Sequence, residues 1–108
     1  MVKLILISWK DIPAQVIVQR GRTREKTVLS QRFHEAIDRA AMRAGKGSSD
    51  AYIAEWKREA SQFETDDDLK DIAANEISRL ETEYSDERLL QLIRNHGSND
   101  PNGANTDD

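Results

Sequence analysis

Between Ser30 and Gly45 the apolar residues keep a single helical phase. Phe33, Ala36, Ile37, Ala40, Ala41 and Ala44 recur at steps of three and four, while Arg32, Glu35, Asp38, Arg39 and Arg43 occupy the rest of the cylinder. Ser30 is suited to an N-cap, and Gly45 stands where a left-handed C-cap belongs. The segment therefore reads as an amphipathic helix. Such a helix is marginal alone and holds only by burying its stripe. The stripe is rich in alanine, so its partner can come close, as the flat surface of a sheet can.

The preceding residues supply that sheet. Val2–Trp9 is a short, nearly continuous aliphatic run, which reads as a central strand or one covered on both faces. Lys10-Asp11-Ile12-Pro13 breaks it, and Ala14–Gln19 follows as a second strand, close enough to pair as an antiparallel hairpin. Arg20-Gly21-Arg22 signals a turn, and Thr23–Leu29 reads as a third strand. Ala51–Phe63 fits two patterns. Tyr52, Ala54 and Trp56 share a face of a strand; Tyr52, Ile53, Trp56 and Ala60 share a face of a helix. The aromatics favour a strand over Tyr52–Arg58, whereas Ser49 or Asp50 as an N-cap favours a helix.

Two further helices are expected. Thr65-Asp66-Asp67-Asp68 opens the first with a capping residue and three acids at the positive end of its dipole. Leu69, Ile72, Ala73, Ile77, Leu80 and Tyr84 form its stripe. Ser85 caps the second, Leu89, Leu90, Leu92 and Ile93 are its apolar residues, and Gly97 ends it. Residues 98–108 contain no sizeable apolar side chain and read as a disordered polar tail. The expected architecture is α+β: one domain over residues 1–97, with a small antiparallel sheet of three to four strands against the alanine-rich helix and two C-terminal helices.

Size and charge narrow the function. A chain of 108 residues holds one domain. It has no cysteine, which excludes disulfides, thiolate metal sites and a cysteine nucleophile. No apolar run approaches the length of a membrane span or a signal peptide, so a cytoplasmic protein is expected. The formal net charge of −4 conceals a division. Residues 1–46 hold ten Lys/Arg against four Asp/Glu, and residues 47–108 hold six against sixteen.

No catalytic constellation is visible. The Asp66–Asp68 run lacks the alternation and glycine of a calcium loop, and helix capping accounts for it. His34 and His96 fit no metal motif, and Ser30, His34 and Asp38 at four-residue steps on one helix cannot form a triad. No catalytic residue, metal ligand or cofactor is therefore assigned. The candidate interaction surface is the first hairpin, with Trp9, Lys10 and Asp11 at one end, Arg20, Arg22 and Arg24 at the other, and Trp56 as a packing companion of Trp9. Trp9 fits either an interface anchor or a core residue. The basic stretch from Arg20 to Lys26 fits a solvated edge, an acidic protein partner or phosphates, but no aromatic interleaves it for stacking on bases.

Ser8-Trp9-Lys10-Asp11-Ile12-Pro13-Ala14-Gln15-Val16-Ile17-Val18 resembles the opening of a family of small bacterial proteins called virulence factor, common in alphaproteobacteria. Leu29–Phe33 leading into Glu35–Gly45, and then Ser49–Arg58, extend the resemblance, which covers about residues 3–95. A similar module is joined to an iron–sulfur scaffold-like part in a larger staphylococcal conserved virulence factor. The resemblance implies no catalytic residue. The absence of a catalytic constellation, the small size and the one basic hairpin make a non-enzymatic binding or accessory domain of this family, with a protein partner, the expected function. A neighbourhood of folate-linked methyl-transfer genes gives an accessory or ligand-binding role in one-carbon metabolism as the alternative, and weak nucleic-acid binding through the basic hairpin is a second.

Overall fold

The computed structural model describes residues 1–45 and 49–98. Their order is β1 (Val2–Trp9), β2 (Ile12–Arg20), β3 (Thr23–Val28), α1 (Gln31–Arg43), α2 (Ser49–Ala54), β4 (Trp56–Phe63), α3 (Leu69–Glu83) and α4 (Asp86–Arg94). The strands form one antiparallel sheet in the order β3-β2-β1-β4. The most apolar strands, β1 and β2, take the middle. The polar strands β3 and β4 take the edges, where charge discourages pairing with other chains.

The expected α+β class holds, with adjustments that have local causes. The β1–β2 turn is only Lys10-Asp11, with Lys10 at a φ of 52°. Pro13 sits inside β2 opposite Ser8, beside a bulge that leaves Ala14 over, because Ile7 pairs with Gln15. The freed Ala14 carbonyl accepts from Leu29 N–H at 2.9 Å. The expected strand over Tyr52–Arg58 is divided: Ser49–Ala54 is helical and the strand begins at Trp56. Both periodicities were present because both elements are. The helix expected from Thr65 starts at Leu69, with Asp68 as N-cap, while Thr65 Oγ1 accepts from Asp67 N–H instead. Ser85 caps α4 as expected, accepting from Arg88 N–H at 3.1 Å. The expected tail lies outside the described residues, apart from Ser98.

One face of the sheet carries the core. Val16 and Val18, fully buried, meet Leu69, Ile72, Ala73 and Leu80 of α3 and Phe33 of α1 in one cluster, with Leu4 and Leu6 packed against it. At the hairpin end, Trp9 and Ile12 join Ala40 and Ala41 of α1 and Leu92 and Ile93 of α4.

Arg32 fastens α1 to the C-terminal helices. Its Nη1 donates to Tyr84 O at 2.5 Å and its Nη2 to Glu81 O at 2.6 Å, with Glu81 Oε1 and Asp86 Oδ1 also in reach. Ser30 does not cap α1 through its side chain. Its N–H and Oγ both donate to the Glu81 carboxylate, at 2.8 and 2.9 Å. Burial works to raise the Glu81 carboxyl, but the hydrogen bonds from Ser30 and Arg32 outweigh it and hold the group below its ordinary value. A carboxyl depressed by folding adds stability above its unfolded pKa and loses that share as pH falls through the folded one. Glu76 is held low too, by a hydrogen bond from Arg79. The Glu81 share is therefore read as a difference. Urea midpoints of the parent and Glu81→Gln should differ most near neutrality and converge on acidification below the ordinary carboxylate range. A gap unchanged by pH would remove Glu81 from this role.

Candidate functional site

The seven residues singled out in the sequence fall at opposite ends of the sheet. A strand of eight residues separates the ends by about 25 Å.

At the first end, Trp9 is core. It is 0% exposed, its Nε1 donates to Tyr52 O at 2.9 Å, and its ring stacks on Tyr52 at 5.9 Å between centroids. Tyr52 in turn meets Trp56 edge-on at 5.9 Å, so the two tryptophans, register partners on β1 and β4, share one aromatic cluster. Trp56 is half-buried. The turn is gripped from two sides: Lys10 N–H donates to Glu55 O at 3.0 Å and Asp11 N–H to Gly97 O at 2.8 Å. Asp11 Oδ1 accepts from Lys57 Nζ at 2.9 Å, a hydrogen bond that raises the lysine pKa and keeps it cationic. Lys10 Nζ lies 5.5 Å from the Trp9 ring centroid.

At the other end the arginines divide. Arg20 Nη2 donates to the carbonyls of Thr65 at 2.9 Å and Asp67 at 2.7 Å. It thereby ties the segment between β4 and α3 back to β2. Arg22 and Arg24 are exposed. Glycine at position 21, φ 60°, makes this turn.

Arg24 leads to a surface that the sequence reading did not assemble. Cross-strand partners share a face, and side chains alternate along each strand. The register therefore sets three rows on the sheet face opposite Leu4, Leu6, Val16 and Val18. The first row is Arg24, Gln19, Lys3 and Gln62; the second is Lys26, Ile17, Ile5 and Ala60; the third is Val28, Gln15, Ile7 and Arg58. Ile5, Ile7 and Ile17 do not belong to the core cluster that the helices close; Ile5 and Ile17 are themselves buried, while the edge positions of this face, Arg24, Lys26, Val28, Arg58, Ala60 and Gln62, are exposed. β3 records the asymmetry directly. Arg24, Lys26 and Val28 are exposed, while Glu25 and Thr27, on the other face, are half-buried.

The twelve positions include four cations, Lys3, Arg24, Lys26 and Arg58, and no acid. None of the four makes an ion pair among the described residues. The acids of the sheet lie on the other face, Glu25 opposite Val18 and Glu59 opposite Leu6. The cations stand around an aliphatic centre. Ile5, flanked by Ile17 and Ala60, is 1% exposed, Ile17 is 7% exposed and Val28 is 55% exposed. Lys3, Lys26 and Arg58 could be found only by alternation plus strand order. Nothing in the sequence says that residues 56–63 pair with β1.

No helix of the described residues is long and apolar enough to cross a membrane. A family model described as "Virulence factor" matches residues 7–93, from the end of β1 to the last turn of α4. No curated protein and no solved structure matches the chain, so the staphylococcal relation rests on the quoted residues alone.

Proposed function

The chain belongs to the virulence factor family, and we propose that it is a non-enzymatic accessory domain acting through protein–protein contacts on the cationic face of its sheet. Family membership supports a general virulence-associated role. The observation that carries the finer reading is the set of exposed cations on this face. Exposed edge positions on a sheet face offer a docking surface, and here Arg24, Lys26 and Arg58 stand exposed around the buried Ile5 and Ile17, with Val28 as the exposed aliphatic contact. The hairpin ends have other work. Trp9, Lys10, Asp11 and Arg20 hold the fold together, and of the seven sequence candidates Arg24 contributes to the cationic face, with Arg22 beside it.

A photo-crosslinking amino acid at Val28, the most exposed aliphatic position of the face, tests this in the native host. A discrete protein adduct is expected at Val28 and absent at Asn75, an exposed position on α3. No adduct at Val28, or the same adducts at both positions, would overturn the reading.

A further inference from the structure

We infer that the partner of the cationic sheet face is an acidic protein surface, held by Lys3, Arg24, Lys26 and Arg58. The inference rests on the binding role just proposed and adds the chemistry of the partner.

The charge pattern is the argument. A chain of net charge −4 keeps these twelve sheet positions free of acid and gives them four cations that make no ion pair among the described residues. Cations so placed attract anions over roughly a Debye length, about 8 Å at physiological salt. The cations border Ile5 and Ile17 rather than forming a line. A protein surface with carboxylates spaced to meet these cations, and an apolar contact for the exposed Val28, matches that arrangement. A nucleic-acid strand matches it poorly. Trp9 and Trp56 continue this face beyond Ile7 and Arg58, but Trp9 is fully buried and Trp56 is half-buried against Tyr52, so neither offers a free ring for bases to stack on, and α3 and its approach are acidic enough to repel a long polyanion.

The size of the face sets the strength. Three rows on four strands span about 14 Å by 14 Å between outer Cα atoms, or about 400 Å² with side chains. A standard stable interface uses about 800 Å² per partner. The contact is therefore transient and salt-sensitive, with charge setting the rate of encounter.

The test uses the full chain and poly-L-glutamate as the probe, followed by backbone amide NMR. Shifts are expected to concentrate at Lys3, Arg24, Lys26 and Arg58 and to vanish at high salt. Lys3→Gln with Lys26→Gln should weaken binding about three- to tenfold. Arg39→Gln with Arg43→Gln, exposed cations of α1, should leave it unchanged. Retained amide dispersion in each variant shows that the fold survives. Shifts spread equally over α1, or tighter binding of an oligothymidylate strand at the same face, would overturn the inference. The Val28 cross-link separates the two proposals. An adduct that persists undiminished with Lys3→Gln and Lys26→Gln keeps the docking face and overturns the acidic partner; loss of every adduct in the parent overturns both.

Discussion

Gly97→Ala is expected to lower the stability of the fold by about 2–4 kcal/mol, far more than the same change at either other glycine in a left-handed conformation. Gly97 sits at φ 93°, and a Cβ there would lie 2.8 Å from Cζ3 of Trp9 and 3.2 Å from Cε3 of Trp9 and Cδ of Lys10. The lysine end can swing aside. The indole cannot, because it is fully buried, stacked on Tyr52 and hydrogen-bonded to Tyr52 O. Backbone movement is blocked as well, since Gly97 O accepts from Asp11 N–H and Gly97 N–H donates to Leu92 O. The strain of the backbone conformation and the steric cost therefore add. Gly21 and Gly45 also have positive φ, but a Cβ at either meets nothing within 4 Å. Only the conformational part, about 1 kcal/mol, should appear there. Urea titrations of the three alanine variants give the comparison. Equal midpoints for Gly97→Ala and Gly21→Ala would show that α4 does not press on Trp9 in this way.

Trp9→Ala is expected to cost about 3–5 kcal/mol, enough to leave the domain near its unfolding threshold. The indole fills the junction where the β1–β2 hairpin, α1, α2 and α4 meet, so its removal leaves a cavity bordered by several elements. It also orphans the Tyr52 carbonyl that accepts from Nε1. Trp9→Phe should keep most of the packing and lose the hydrogen bond, at about 1–2 kcal/mol. Trp56→Ala, half-buried at a sheet edge, should also fall below Trp9→Ala. If Trp9→Ala unfolded at the parent midpoint while Trp56→Ala did not, the order of burial described above would be wrong. The pair separates structure from binding. Trp9 and Gly97 govern stability, and Lys3, Arg24, Lys26 and Arg58 should govern contact with little effect on stability, as expected of exposed or half-exposed surface groups.

Most of the local structure was legible in the sequence because it depends on neighbours in the chain. The α1 stripe, the Ser85 cap and the positive-φ glycines at 45 and 97 follow from periodicity and backbone sterics. The aliphatic runs of β1 and β2 carry the central-strand signal in the same way. The errors sit where two local signals overlap. Residues 49–63 hold a short helix and a strand back to back, and one window averages over both. Thr65 and Asp68 compete for one helix start, and Asp68 takes it while Thr65 bonds to Asp67.

The candidate site was less legible. Trp9 carried an ambiguity between core and anchor that composition cannot lift, since burial is a property of what lies opposite. Arg20 looked free among basic neighbours, yet its partners are backbone carbonyls 45 and 47 residues away. Ser30 looked like a cap for α1 and donates instead to Glu81.

The sequence by itself determined that this chain makes a cysteine-free α+β domain, with apolar strands, an alanine-rich helix and a divided charge. The tertiary structure alone decided that β4 returns to the edge beside β1, that α3 covers one face of the sheet, and that Lys3, Arg24, Lys26 and Arg58 meet on the other. The physical reason is that alternation assigns each side chain to one of two faces, but strand order and helix docking are long-range choices. They settle which face is buried and which charges become neighbours.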